Sequence, residues 1–125
     1  MKRRFFALTA PLVAALAVLL LAPGCESDNE FSHTPPAGQG SLIVDNYTYT
    51  DIEFFLNGIL QETVNSDHDK TFDLAPGVYR VVLNDDNGDR NWADDVDVLE
   101  GRLTVLTVKI DSGFFDSYSV TREIQ

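Results

Sequence analysis

The hydrophobic pattern of the chain changes at residue 41, where short apolar runs begin to alternate with clusters of turn-forming residues. The runs are rich in Val, Ile, Phe, Tyr and Thr, and Gly, Asn, Asp and Pro separate them at strand-length intervals. No run keeps the 3.6-residue period of an amphipathic helix. The pattern predicts an all-β domain, a single antiparallel β-sandwich of seven or eight strands.

Two dipeptides mark turns within this pattern. Asn57-Gly58 separates the runs 52–56 and 59–64, and both positions of a type I′ hairpin turn need the positive φ that Asn and Gly tolerate. Pro76-Gly77 fits the central positions of a type II turn. Residues 111–113 predict the last hairpin, and the run 103–110 is apolar on both faces, which indicates a central strand.

Alternation along the runs assigns side chains to the predicted core. Every second residue of a strand faces the same side. The expected core positions are Ile52, Phe54 and Leu56 in one run, Tyr79, Val81 and Leu83 in another, and Trp92, Val96 and Val98 in a third. Asp95 and Asp97 then face away from the core.

The N-terminal stretch predicts export from the cytoplasm. Basic residues 2–4 precede an apolar run over 5–22, as in a secretory signal. Residues 20–25, Leu-Leu-Ala-Pro-Gly-Cys, resemble the lipobox of bacterial lipoproteins. The resemblance implies removal of residues 1–24 and lipid attachment at Cys25, and Glu26 in the second mature position favours the outer membrane over the inner. The alternative is an uncleaved signal anchor, since 5–22 is near the minimum length for a spanning helix.

A polar segment joins the predicted anchor to the domain. Residues 25–40 contain Pro35-Pro36 and one large apolar side chain, Phe31, so they predict a flexible linker in which His33 is solvated. The domain then spans 41–125.

Charge and cysteine content narrow the classes of partner. The leader holds three of the nine basic residues and none of the twenty acidic ones, so the 101 residues after it carry a net charge of −14. This charge argues against nucleic acid and against a polybasic contact with anionic lipid. Cys25 is the one cysteine, which excludes an intramolecular disulfide.

A second resemblance rests on residues 72–81, Phe-Asp-Leu-Ala-Pro-Gly-Val-Tyr-Arg-Val, with Phe-Phe-Leu-Asn-Gly before them and Gly-Arg-Leu-Thr-Val after them. This arrangement over about 41–111 resembles the transthyretin-like and carboxypeptidase-regulatory-like β-sandwich modules of bacterial surface proteins. It is also similar to PEGA-type repeats. The resemblance implies an immunoglobulin-like or transthyretin-like, extracytoplasmic module for display or binding, with no active site.

Two loops contain residue types that could act chemically. His68 lies between Asp67 and Asp69, close to Ser66, so the loop could supply a Ser-His-Asp triad or a few metal ligands, although loop neighbours rarely converge on one atom. The second such loop is the acid-rich stretch 84–100. Calcium prefers oxygen ligands, and the candidate ligands in this stretch are Asp85, Asn87, Asp89, Asp94 and Asp95. The alternative for this stretch is a solvated, edge-protecting hairpin.

The functional prediction is a non-enzymatic, lipid-anchored envelope protein that displays a small acidic β-sandwich for protein or glycan binding or for structural support. The alternatives are an accessory subunit or hydrolase that uses the His68 loop, and a calcium-stabilised adhesion module.

The domain has more aromatic residues than one face of a sheet needs to form a core. The additional aromatic side chains are expected either to form an exposed patch that binds a partner or to fill the ends of the core. They are Tyr47, Tyr49, Phe55, Phe114 and Phe115.

Overall fold

The computed structural model describes residues 31–113 and 117–125, and its described residues contain eight β-strands and no helix. The all-β prediction is therefore confirmed. The strands are β1 (Gly40–Asn46), β2 (Ile52–Leu56), β3 (Ile59–Val64), β4 (Asp69–Leu74), β5 (Gly77–Asp85), β6 (Asn91–Val98), β7 (Leu103–Ile110) and β8 (Tyr118–Ile124). The predicted signal peptide 1–24, Cys25, Phe114 and Phe115 lie outside the described residues.

The strands form two four-stranded sheets. The first sheet has the order β4-β1-β7-β8 and the second has the order β3-β2-β5-β6. All pairs are antiparallel except β1 and β7, which run parallel from Ser41 opposite Leu103 to Asn46 opposite Val108. The prediction of an entirely antiparallel arrangement is wrong at this pair. A chain that crosses to the other sheet between two strands can return in either direction, so local turn signals do not set their relative orientation.

A hydrophobic core draws side chains from both sheets. The alternation predicted for β2 and β5 is confirmed, because Ile52, Phe54, Val81 and Leu83 are fully buried. Leu42, Val44, Leu106 and Val108 of the first sheet pack in the same cluster. Tyr79 and Trp92 lie on the predicted face but are only partly buried, at the margin of the cluster. The predicted central position of β7 is also confirmed.

The two predicted turns differ in outcome. Asn57 and Gly58 have φ values of 49° and 85°, so the left-handed hairpin turn is confirmed. At Pro76-Gly77 the type II prediction is wrong, because Gly77 has φ of 159° rather than about 80° and begins β5. The strands on either side, β4 and β5, belong to different sheets, so this segment is a crossover and not a hairpin.

The first strand begins where two backbones approach closely. Gly40 is buried, and a Cβ atom there would collide with the Leu99 carbonyl oxygen and lie 2.7 Å from Val98 Cγ1. Only glycine fits this contact between the start of β1 and the end of β6.

The segment before β1 packs on the outer face of the first sheet. Phe31 covers a second apolar cluster formed by Ile43, Leu103 and Val105. His33 Nε2 lies 2.7 Å from Asp73 Oδ1, and the Ser41 hydroxyl donates to the same oxygen at 2.5 Å. Phe31 and His33, which the sequence places in a flexible linker, therefore both contact the first sheet, and His33 is only partly exposed to solvent.

Two ion pairs connect the sheets at their open edges. Lys70 Nζ of β4 lies 2.8 Å from Glu62 Oε1 of β3, and Arg122 of β8 lies 2.8 Å from Asp94 Oδ2 of β6. All four residues are partly exposed, so each pair contributes on the order of 1 kcal/mol or less. The pairs lie where the edge strands β3 and β4, and β6 and β8, come together.

Candidate functional site

The acid-rich segment forms the hairpin between β5 and β6. The Asp85 amide donates to the Arg90 carbonyl oxygen at 2.9 Å, and the Gly88 amide donates to the Asp85 carbonyl oxygen at 2.8 Å. Gly88 has φ of 81°, which a glycine adopts without strain. The turn 86–90 is therefore closed by backbone bonds, and it holds its polar side chains above the end of the second sheet.

A buried ion pair lies at the base of this hairpin. Arg90 Nη1 lies 3.2 Å from Asp85 Oδ2, and the side chains are 12% and 1% exposed. Arg90 Nη2 donates to the Tyr49 hydroxyl at 3.2 Å, and its guanidinium lies 5.7 Å from the centre of the Tyr49 ring. The Asn87 amide donates to Asp85 Oδ1 at 3.1 Å. The Asp85 charge is therefore balanced within the protein rather than by solvent.

Asp86 lies beside this pair, and no ion pair joins it to a cation among residues 31–113 and 117–125. Hydrogen bonding with the Asp85 carboxylate raises the pKa of Asp86, and partial desolvation and the Asp85 charge act in the same direction. The Asp86 amide donates to the Asp51 carbonyl oxygen at 3.2 Å, which ties the hairpin to the loop between β1 and β2. The carboxyl groups of Asp85 and Asp86 therefore lie close together at the base of the β5–β6 hairpin.

An open groove of about 400 Å³ lies between the hairpin and the outer face of the second sheet. On the sheet side, Glu53 lies opposite Asn84, and Asn84 lies opposite Asn91, so three neighbouring strands each place one polar side chain there. The hairpin residues complete the lining, which consists of Glu53, Asn84, Asp85, Asp86, Asn87, Gly88, Arg90 and Asn91. Carboxylate and amide groups predominate, and the one cation is already paired with Asp85.

A row of apolar side chains lies next to the groove on the same face. Cross-strand register places Leu60 opposite Phe55, Phe55 opposite Val82 and Val82 opposite Ala93. Leu60 is 51% exposed, and Phe55 and Val82 are partly exposed. We call these four residues the apolar row. The outer face of the second sheet therefore combines an acidic groove with an uncovered apolar strip.

The structure does not bring the five predicted calcium ligands together. Asp85 and Asn87 meet in the hairpin, and Asp89 lies exposed in the same turn. Asp94 binds Arg122 of the first sheet, and Asp95 lies 3.3 Å from Arg80 on the outer face. Within residues 31–113 and 117–125, no group of three or more His, Cys, Asp or Glu residues is placed to hold a metal ion.

The histidine loop has a different hydrogen-bond pattern from a catalytic triad. The Ser66 hydroxyl donates to the Thr48 carbonyl oxygen at 2.7 Å, and His68 Nδ1 donates to the Ser66 carbonyl oxygen at 2.7 Å. The Ser66 amide donates to Asp51 Oδ1 at 2.9 Å. Each of these groups therefore joins the loop to the neighbouring backbone or to Asp51.

Sequence reasoning missed a buried polar network next to this loop. Asn46 donates to the carbonyl oxygens of Thr50, Val64 and Asn65, and its own oxygen accepts from the Thr48 amide and hydroxyl. Both side chains are almost fully buried. The only signal available was an Asn at the end of an apolar run, followed by a Thr two residues later. The network anchors the loop that carries Tyr49.

The predicted aromatic patch does not form one surface among the described residues. Tyr49 is 70% exposed beside Arg90, and Tyr47 packs near Lys109 of the first sheet. Phe55 lies on the outer face of the second sheet, within the apolar row. Phe55 is therefore the member that adjoins the groove on the sheet surface.

Tyr118 closes the core below the hairpin. It is 4% exposed, and its buried hydroxyl has no well-formed hydrogen bond with the described residues. Burial raises the pKa of Tyr118 to about 12, with the Asp85 charge acting in the same direction, while the Thr50 side chain and Arg90 oppose the change.

Comparison with known proteins gives a likeness of fold alone. Neither a protein-family model nor a curated protein sequence matches this chain. Among solved structures, the C-terminal domain of AlgF from P. aeruginosa is similar at a TM-score of 0.55 and 13% identity, over 70% of this chain and 99% of that chain. A protein from Eubacterium rectale is similar at a TM-score of 0.48 and 15% identity, over 78% of this chain and 94% of that chain. Within residues 31–113 and 117–125, no helix is long and apolar enough to span a bilayer.

Proposed function

We propose that this protein is a lipid-anchored, non-enzymatic component of a bacterial cell envelope that displays a small β-sandwich for binding. The observation that carries the proposal is the outer face of the second sheet, where a groove and an apolar row lie exposed side by side on paired strands. Such a surface on a rigid scaffold fits recognition of a partner.

Three features support a single sandwich as the architecture. Core side chains of both sheets belong to one cluster, and an ion pair bridges the sheets at each open edge. The likeness to the AlgF domain extends over nearly the whole of that chain. A transthyretin-like or PEGA-like module is the family relationship that we propose on the residues quoted above.

The anchor rests on the lipobox resemblance at Cys25. Phe31 follows six residues later and packs on the first sheet. Six extended residues span at most about 20 Å, so a lipid on Cys25 would keep the domain close to the membrane. We favour the outer membrane as the location, because Glu26 occupies the position after Cys25.

Lipid attachment is tested by mass spectrometry of the mature N-terminus, with Cys25→Ser as the control. We expect a diacylglyceryl-modified Cys25 in the parent and an unmodified, mislocalised chain in the variant. Cleavage at another bond, or an unmodified Cys25 in the parent, would exclude the anchor. Membrane fractionation then separates outer from inner membrane.

The hydrogen bonds in the His68 loop favour the binding function over hydrolysis. A Ser-His-Asp nucleophile requires the serine hydroxyl to donate to the histidine ring, but the Ser66 hydroxyl donates to the Thr48 carbonyl oxygen instead. The Ser66 hydroxyl therefore holds the loop to the backbone and does not form the serine–histidine hydrogen bond of a triad.

Calcium stabilisation remains the alternative that the sequence suggested: the groove supplies carboxylate and amide oxygens, although residues 31–113 and 117–125 hold no group of three acidic side chains already placed around a metal ion. Calcium that binds only the folded state stabilises it by about 2.7 kcal/mol at a hundredfold excess over Kd. Thermal denaturation in calcium, magnesium and sodium chlorides at matched ionic strength tests this candidate. Stabilisation by calcium alone, lost in Glu53→Gln/Asp86→Asn, would support a site in the groove, and equal effects of the three salts would exclude it.

A further inference from the structure

The groove and the apolar row have a fixed spacing on the outer face of the second sheet. Glu53 and Phe55 lie on the same side of β2, and Asn84 and Val82 lie on the same side of β5. Alternate residues of a strand are about 7 Å apart. The polar and apolar rows therefore run side by side across the strands at this separation.

The charge of this face is negative and incompletely balanced. Asp85 pairs with Arg90, and Asp95 pairs with Arg80. Glu53 and Asp86 line the groove as further carboxylates. Asp86 lies beside the Asp85 carboxylate, and its pKa is raised there, so a cation placed in the groove would stabilise the ionised form of Asp86.

An extended peptide matches both features. Its side chains at i and i+2 face the same way and are also about 7 Å apart. A Lys or Arg at one of these positions would reach the groove when an apolar side chain at the other lies on Phe55 and Val82. Lys and Arg are long enough to place an apolar stem along the sheet and a charged end among the carboxylates.

We propose that the outer face of the second sheet binds an extended segment of a partner protein with the pattern basic, any residue, apolar. The cationic side chain occupies the groove beside Glu53 and Asp86, and the apolar side chain contacts Leu60, Phe55 and Val82. The inference rests on the binding function proposed above and names the class of partner.

Nuclear magnetic resonance titration of the ¹⁵N-labelled mature protein in detergent micelles tests the inference with three capped peptides. The first is Gly-Lys-Thr-Ile-Thr-Gly, in which Lys and Ile face the same side when extended. The second is its isomer Gly-Thr-Lys-Ile-Thr-Gly, in which they face opposite sides. The third replaces Lys by Glu in the first sequence. We expect the first peptide to bind at least fivefold more tightly than the other two, with shift changes on β2, β5 and the hairpin.

Matched variants separate the groove from general electrostatic attraction. Glu53→Lys should weaken the first peptide at least tenfold, and Leu60→Ser, at an exposed edge position, should weaken it several-fold. Asp97→Lys changes the charge equally on the same face, but six residues along β6 from Asn91, about 20 Å away. This control should bind within about twofold of the parent.

The inference would be overturned by equal binding of the Lys and Glu peptides, by an equal loss of affinity in Asp97→Lys and Glu53→Lys, or by shift changes confined to other faces. Displacement of the Lys peptide by calcium, but not by sodium at matched ionic strength, would assign the groove to a metal and also overturn it. A lipidated protein that binds none of the peptides would overturn this inference alone. An unmodified Cys25 would remove the anchor and leave the titration result intact.

Discussion

The buried ion pair between Asp85 and Arg90 provides a sharp test of the structure around the groove. Replacing Asp85 with Ala removes the carboxylate 3.2 Å from Arg90 Nη1 and the acceptor of the Asn87 amide. Arg90 then keeps its charge in a site where its side chain is only 12% exposed. Loss of one member of a buried pair typically costs about 3–5 kcal/mol, because an uncompensated charge stays buried.

The structure places this variant at the lower end of that range. Arg90 keeps its bond to the Tyr49 hydroxyl, and Asp86 is relieved of a neighbouring carboxylate. We therefore expect Asp85→Ala to lower the free energy of unfolding by about 3 kcal/mol. With a urea dependence of about 1.5 kcal/mol per molar, the midpoint of unfolding falls by about 2 M.

A matched control lies on the same two strands. Arg80 and Asp95 form an ion pair at 3.3 Å, with side chains 54% and 63% exposed. Asp95→Ala should cost no more than about 1 kcal/mol, because solvent screens this pair. Urea denaturation followed by the fluorescence of Trp92, the single tryptophan, measures both variants. Equal costs for Asp85→Ala and Asp95→Ala would refute the burial of the first pair.

Three further predictions concern stability. Tyr118→Phe should leave the free energy of unfolding at neutral pH nearly unchanged, since the buried hydroxyl lacks a well-formed hydrogen bond with the described residues. The same variant should not show the decrease in stability that the parent shows at alkaline pH. With its pKa raised to about 12, native Tyr118 keeps its proton between about pH 10 and 12 while the unfolded chain releases it, so parental stability falls there by up to about 2–3 kcal/mol in pH-dependent denaturation. Hydrogen bonds from Ser41 and, to a smaller extent, from His33 lower the pKa of Asp73. The stabilisation from these bonds is therefore present above about pH 4 and is lost as the pH falls through the pKa of native Asp73. An equally steep decrease of stability at acid pH in Asp73→Asn would contradict this. Gly40→Ala should lower the free energy of unfolding by about 1–3 kcal/mol, whereas Gly113→Ala, whose Cβ would meet its nearest atom at 3.4 Å, should melt close to the parent.

Local patterns in the sequence determined the strand class, the inward faces and one hairpin turn. Period-two alternation identified Phe54 and Leu83 as core residues, because the direction of a side chain depends on neighbours within the same strand. Asn57-Gly58 predicted its turn because positive φ is a property of these two residues themselves. The composition of residues 84–100 also indicated an acid-rich hairpin, because turn-forming and acidic residues are concentrated there.

Only the tertiary structure decided which strands pair and what surrounds the charged side chains. The parallel pair β1 and β7, and the allocation of β4 and β5 to different sheets, depend on contacts between residues far apart in sequence. Asp94 and Asp95, adjacent in the chain, face opposite sides of β6 and pair with Arg122 and Arg80. Phe31 packs on the first sheet because the assembled strands create an apolar surface for it. The groove likewise requires Glu53 of β2 to meet the β5–β6 hairpin, since cross-strand register, rather than sequence spacing, brings these side chains together.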